Sequence, residues 1–159
     1  QFIRNNFKFS IGVAGYPEGH PETPDWKQDM AYLKQKVDAG ADFVISQLFF
    51  DNRYFYRFRD HAIREGIRIP LIPGIMPILN IRQIHRFAQM CGATIPHDLN
   101  RKLEAVEDDP EAVRHIGMFH ATLQCQDLLA QGASGIHFYT LNRSTATRAI
   151  FQMLKTGID

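Results

Sequence analysis

The sequence is short of cysteine, of net charge and of long apolar runs. Its two cysteines, Cys91 and Cys125, stand in no metal-binding or redox spacing, which suits a reducing compartment. The formal net charge is only +1, so nothing argues for a nucleic-acid or membrane surface. No apolar stretch is long enough to span a bilayer and no signal peptide is legible, so a cytoplasmic location is expected. No G-x-G-x-x-G follows any expected strand, which lowers a Rossmann reading. His115 and His120 are five apart and do not share a helix face, so no metal site is expected there; His61, His85 and His97 read as surface residues.

What is present is a core. The 159 residues are 45% hydrophobic and 22% charged, which fits one folded domain covering residues 1–159. Gln1 to Asn6 is polar and a strand follows almost at once, so the chain reads as cut into mid-fold. That strand, Phe9 to Ala14, runs into Gly15-Tyr16-Pro17-Glu18-Gly19-His20-Pro21, a loop bent by its glycines and stiffened by its prolines. A helix from about Pro24 to Ala39 follows, with Thr23 as its cap and Pro24 at its first position. Trp26, Met30, Leu33 and Val37 make its apolar stripe, and Gly40 ends it. Asp29, Tyr32 and Lys36 share another face, which on spacing alone reads as a solvated surface.

A second strand, Phe43 to Phe50, places Gln47 on an apolar side near its C-terminal end. A buried amide needs partners, either a neighbouring backbone or a ligand offering both a donor and an acceptor. Asp51 or Asn52 caps the next helix, whose Tyr54, Phe55, Phe58 and Ala62 read as packing, and Gly66 closes it. The third strand, Leu71 to Met76, is bracketed by Pro70, Pro73 and Pro77. Asn80 caps a helix from Ile81 to Cys91, on which Gln83 and Phe87 face the same way. An insertion follows: a short helix opened by Pro96, with Leu99, Leu103 and Val106, and a long one capped at Asp108-Asp109-Pro110 and running to about Ala130. The fourth strand is Ile136 to Thr140. Arg143 lies just beyond it, where a carboxylate, a phosphate or a structural ion pair would suit it, and a last helix spans Ser144 to Leu154.

Four strands, each followed by helix, predict a parallel sheet with right-handed crossovers. Tyr16, His20, Gln47 and Arg143 all fall at or just beyond the C-terminal ends of strands, the ligand face of doubly wound sheets and of (β/α)₈ barrels. Four βα units are half of such a barrel, which leaves two sheet edges for another half or a partner chain to cover.

Five blocks, in order, resemble methylenetetrahydrofolate reductase: the Gly15–Pro21 loop, Leu33 to Ala41, Gln47-Leu48-Phe49-Phe50-Asp51, Ile72 to Pro77, and His137-Phe138-Tyr139-Thr140-Leu141-Asn142-Arg143. The resemblance covers nearly the whole chain and matches the C-terminal half of that family's catalytic (β/α)₈ TIM barrel. It implies an α/β chain supplying about four βα units, with FAD bound at the strand ends. It also implies NADH or NADPH as reductant and ping-pong reduction of 5,10-methylenetetrahydrofolate to 5-methyltetrahydrofolate. By motif, Tyr16 and His20 would contact FAD, and Asp29 and Lys36 would serve its ribose and phosphates. Tyr32 and Gln35 join them by location only. Gln47 would meet the pterin edge of the folate, Gln83 and Phe87 its p-aminobenzoate, and Arg143 would lie near it. A homo-oligomer is expected as well.

The resemblance also marks a gap. The family's general acid belongs to the absent N-terminal half, so no catalytic residue is assigned in this chain, and Glu18 is in the wrong loop to replace it. The fragment alone is expected to be inactive, with weak or absent FAD binding. Two alternatives stand beside this reading. One is another barrel enzyme such as an aldolase, which would need a lysine at a strand end, where this chain has none. The other is a non-catalytic half-barrel module that assembles or binds through its open edges.

Overall fold

The computed structural model describes residues 1–23 and 25–156. In order, the elements are α1 (Phe2–Asn6), β1 (Gly12–Gly15), α2 (Trp26–Asp38), β2 (Phe43–Ser46), α3 (Asn52–Arg64), β3 (Leu71–Ile72), β4 (Gly74–Ile75), α4 (Ile81–Cys91), α5 (His97–Glu104), α6 (Pro110–Ala130), β5 (His137–Phe138) and α7 (Thr145–Thr156). All strand pairs are parallel, as the alternation of strand and helix predicts. The strands are shorter than the apolar runs suggested. The first begins at Gly12, and Phe9, 64% exposed, lies outside it next to the unforeseen helix α1.

The third strand departs most from expectation. Pro73 has no N–H to give a ladder, and it splits the run into β3 and β4. Two sheets result, ordered β1-β2-β3 and β4-β5, in place of one of four strands. Two contacts stitch them together. The Ser46 hydroxyl, 1% exposed, accepts from the Gly74 N–H at 2.9 Å. The Tyr139 hydroxyl donates to the Ser46 carbonyl at 2.9 Å. Gly74 is required at this junction, since a Cβ there would sit 2.2 Å from the Ser46 carbonyl oxygen.

The helix caps are polar side chains immediately before the apolar stripes. Asp51, Asn80 and Asp109 cap α3, α4 and α6 as expected. At α2 the cap is Asp25, whose carboxylate accepts from the Gln28 N–H at 2.7 Å, and not Thr23; the expected role of Pro24 lies outside the described residues. Two apolar clusters lie against the strands. One, around Val44, Phe49, Phe55, Phe58 and Leu128, joins the first sheet to α2, α3, α6 and α7. The other, around Leu48, Phe50, Ile78, Ile84 and Leu103, seats α4 and α5 beneath the strand ends. Here α6 comes so close that a Cβ on Gly117 would meet the Ile78 carbonyl oxygen at 1.9 Å. Among the described residues, no helix is long and apolar enough to cross a membrane.

Candidate functional site

Parallel strands send all their C-terminal ends to one side, so the loops after β1, β2, β4 and β5 share a face. The loop after β1 packs on α2. There Tyr16, His20, Asp29, Tyr32, Gln35 and Lys36 line one groove of about 540 Å³. The rings of Tyr16 and His20 meet edge to face, with centroids 4.5 Å apart. His20 Nδ1 accepts from the Glu22 N–H at 3.1 Å, so the neutral imidazole carries its proton on Nε2. Lys36 is half-buried, and its Nζ donates to the Ala14 carbonyl of β1 at 2.7 Å. Burial pulls the Lys36 pKa down, and the nearby Asp29 carboxylate partly opposes this. Burial likewise pushes Asp29 up, against the pull of Lys36. Tyr32 is exposed, and its hydroxyl accepts from Gln28 Nε2 at 2.7 Å.

A second pocket, of about 220 Å³, opens between α4 and the segment after β5, and Gln83, Phe87 and Arg143 line it together. Tyr139 lines it too and had not been singled out from the sequence. Burial raises the Tyr139 pKa, with Cys91 and Tyr16 adding to the effect, so its hydroxyl stays a neutral donor. The turn after β5 has two consecutive non-glycine residues at positive φ, Leu141 at 49° and Asn142 at 62°. Asparagine tolerates that region; leucine pays a steric cost, the kind of strain that gathers at functional sites. Gln47 lines neither of these pockets. Its Oε1 accepts from the Leu48 N–H at 2.9 Å, the neighbouring-backbone partner weighed for it.

Glu18 has a structural task. Both its carboxylate oxygens accept from the Thr94 N–H, at 3.0 and 3.1 Å. The contact ties the loop after β1 to the segment after α4. Burial raises the Glu18 pKa, and the Thr94 hydrogen bonds oppose that. Glycine at position 92 serves the same approach: a Cβ there would lie 3.1 Å from the Pro21 ring and 3.7 Å from the Gly19 carbonyl oxygen. Of the histidines read as surface residues, His85 and His97 are exposed. His61 is partly buried instead, its ring 4.4 Å from that of Trp26. Among the described residues, no group of three or more His, Cys, Asp or Glu could hold a metal ion.

Comparison with known proteins bears on this site. The family model described as Methylenetetrahydrofolate reductase matches residues 1–155. The chain is 45% identical over 143 residues to Methylenetetrahydrofolate reductase (NADH) 1 of Arabidopsis thaliana, covering 84% of this chain and 24% of that protein. It is 45% identical over 147 residues to Probable methylenetetrahydrofolate reductase (NADPH) of Caenorhabditis elegans, covering 92% and 22%. It is 40% identical over 146 residues to 5,10-methylenetetrahydrofolate reductase of Escherichia coli (strain K12), covering 92% and 49%. The chain thus spans a quarter to a half of the length of these relatives. Among solved structures, an uncharacterized protein from Clostridium thermocellum that binds two copies of 5-methyl-5,6,7,8-tetrahydrofolic acid superposes with a TM-score of 0.65 at 16% identity, over 99% of this chain and 58% of that one. At that identity the likeness is one of fold.

Proposed function

Because the chain belongs to the methylenetetrahydrofolate reductase family, we propose that it supplies the C-terminal half of a (β/α)₈ catalytic barrel. The whole protein reduces 5,10-methylenetetrahydrofolate to 5-methyltetrahydrofolate, with NADH or NADPH as reductant and FAD as carrier. One observation carries this reading: nine of the ten candidate residues gather in two pockets among the C-terminal strand ends, six in one and three in the other. The tetrahydrofolate ligand named for the Clostridium thermocellum protein is of the proposed substrate class. Relatives named for NADH and for NADPH leave both reductants in play.

The groove's donor set suits FAD. Lys36 offers a half-buried cation for phosphate, Asp29 an acceptor for ribose hydroxyls, and His20 an Nε2–H donor. When bound, FAD would supply a ring system that accepts hydride from the nicotinamide and delivers it to the folate. Tyr16 and His20 would hold it from the β1 side. In the neighbouring pocket Phe87 would pack on the p-aminobenzoate ring, with Gln83 and Arg143 orienting the polar groups around it. Gln47 would offer the pterin edge its Nε2 donors and one lone pair of Oε1, the other being held by the Leu48 N–H. No general acid is assigned here, since the family resemblance puts that residue in the N-terminal half, and on this reading turnover requires that half.

The half-barrel assignment has its own support. Among the described residues every strand but β2 pairs with a single strand; β3 and β4 adjoin each other through Pro73, so β1 and β5 are the edges left for another half. Phe2, Phe7 and Phe9, which precede β1 and pack ring on ring, stand 73%, 48% and 64% exposed, an apolar patch that the other half would cover. Under this proposal the whole protein works as a cytoplasmic homo-oligomer.

The test is a visible spectrum of this chain incubated with FAD, alone and mixed with the N-terminal half. A flavin band that survives desalting, with menadione-dependent NAD(P)H oxidation in the mixture only, is the expected result. No flavin in either sample, with the mixture folded by circular dichroism, would sink the assignment.

A further inference from the structure

Helix α4 carries a second ridge beside the one that bears Gln83 and Phe87. Arg82, Arg86 and Met90 recur every four residues, so they stand one above another along the helix. The two ridges enclose an open groove of about 380 Å³ lined by Arg82, Gln83, Arg86, Phe87 and Met90. Gln83 and Phe87 line both this groove and the pocket shared with Arg143, so the two depressions adjoin.

The arginines are unengaged. Both are exposed, and neither guanidinium has a hydrogen bond or ion pair among the described residues. The local sequence offers them no counter-charge either: no Asp or Glu occurs between Glu65 and Asp98. Glu18, which reaches the far end of this segment, is committed to the Thr94 amide. Of the other ten arginines, Arg4, Arg53, Arg59, Arg101 and Arg114 have a carboxylate within 4.0 Å and the remaining five have none among the described residues, so what sets Arg82 and Arg86 apart is that they stand together beside one groove. Two like charges held one helical turn apart repel each other slightly, so a cost remains that an anion with two carboxylates would remove.

The geometry points to Arg82 and Arg86 as a subsite for the glutamate end of the folate. This rests on the substrate reading above. With the aromatic ring of the ligand on Phe87 and Gln83, the next part of the molecule reaches the adjacent ridge, where the α- and γ-carboxylates meet the two guanidinium groups. The pair therefore selects ligands that carry carboxylates beyond the ring and leaves the pterin end to the inner pocket. Because the site is open to solvent, its contribution is modest and screened by salt.

The experiment uses the full-length flavoprotein and two probes, 5-methyltetrahydrofolate and 5-methyltetrahydropteroate, which lacks the glutamate. Dissociation constants are read from the change in flavin absorbance. The wild-type protein is expected to favour the first probe by about fivefold, the size of two exposed charge pairs, and the margin should shrink as ionic strength rises. Arg82→Gln with Arg86→Gln should erase the margin by weakening only 5-methyltetrahydrofolate, and the Lys/Lys pair should retain part of it. A normal flavin-to-protein ratio in each variant certifies folding. A wild-type protein without the margin, or a Gln/Gln protein that keeps it, overturns the subsite. If the wild-type flavoprotein binds neither probe, the folate reading itself falls and the subsite falls with it; that result is distinct because the variants are not needed to see it.

Discussion

Lys36 shows at the scale of one residue what spacing could and could not reveal. Its recurrence with Asp29 and Tyr32 placed all three on one face of α2, which is where they are. Spacing could not reveal that the ammonium would lean across to the Ala14 carbonyl, a contact between elements far apart in the chain. The same gap explains Tyr139. Its place in a strand was legible, but its bond to the Ser46 carbonyl depends on how two sheets meet. In the full-length protein, Lys36→Met keeps the stem packing and removes the charge. A charge-assisted contact contributes about 1.5–3 kcal/mol, so the FAD dissociation constant is expected to rise about ten- to a hundredfold in a fluorescence titration. His120 gives a prediction in pH. Burial holds its pKa below the usual 6.5, while its ring nitrogen hydrogen-bonds the Phe50 carbonyl at 3.0 Å. Asp51 pulls the pKa up and Lys102 pushes it down. A depressed histidine favours the fold when neutral, so its contribution is full above 6.5 and is lost as pH falls through the lower folded value. The urea midpoint should therefore drop on acidification below 6.5 more steeply in the wild type than in His120→Asn.

At the scale of elements, the alternation of apolar stripes and polar caps was legible, because local periodicity and side-chain capping are written in neighbouring residues. Strand ends were not. Leu48, Phe49 and Phe50 continue the apolar run of β2, and all three are buried, yet they pack in the two cores without a ladder partner. Pro73 was noted as a bracket, but its effect, the splitting of one strand between two sheets, follows from a missing N–H in three dimensions. The junction at Ser46 and Gly74 takes the place of the lost ladder, and two substitutions should show it. Ser46→Ala leaves the buried Gly74 N–H without its acceptor, at a cost of about 1–3 kcal/mol. Gly74→Ala must push a methyl group against the Ser46 carbonyl and costs about 1–3 kcal/mol or more. Because both act on one contact, the double variant should lose less than the sum of the two in equilibrium denaturation.

At the scale of the whole molecule, the two pockets are joined by a contact between residues 76 apart in sequence, Glu18 and Thr94. On one side of it lies the loop that carries Tyr16 and His20; on the other, the C-terminal end of the helix that carries Gln83 and Phe87. The tie predicts that a ligand which fixes one side steadies the other, and a coupling of this kind is reciprocal. The acceptor, not the charge, makes the contact, so Glu18→Gln should preserve it and Glu18→Ala should not. In the full-length protein, if it carries FAD as proposed, Glu18→Ala is expected to weaken FAD and 5-methyltetrahydrofolate together, each by about five- to tenfold, the worth of about one hydrogen bond. Glu18→Gln should stay within about twofold of wild type for both ligands. Paired titrations of the two ligands separate the possibilities. Loss confined to FAD would mean that Glu18 merely shapes its own loop, and loss in Glu18→Gln equal to that in Glu18→Ala would mean that the charge itself matters. Only the joint loss in alanine, rescued by glutamine, makes the two pockets a single mechanical unit.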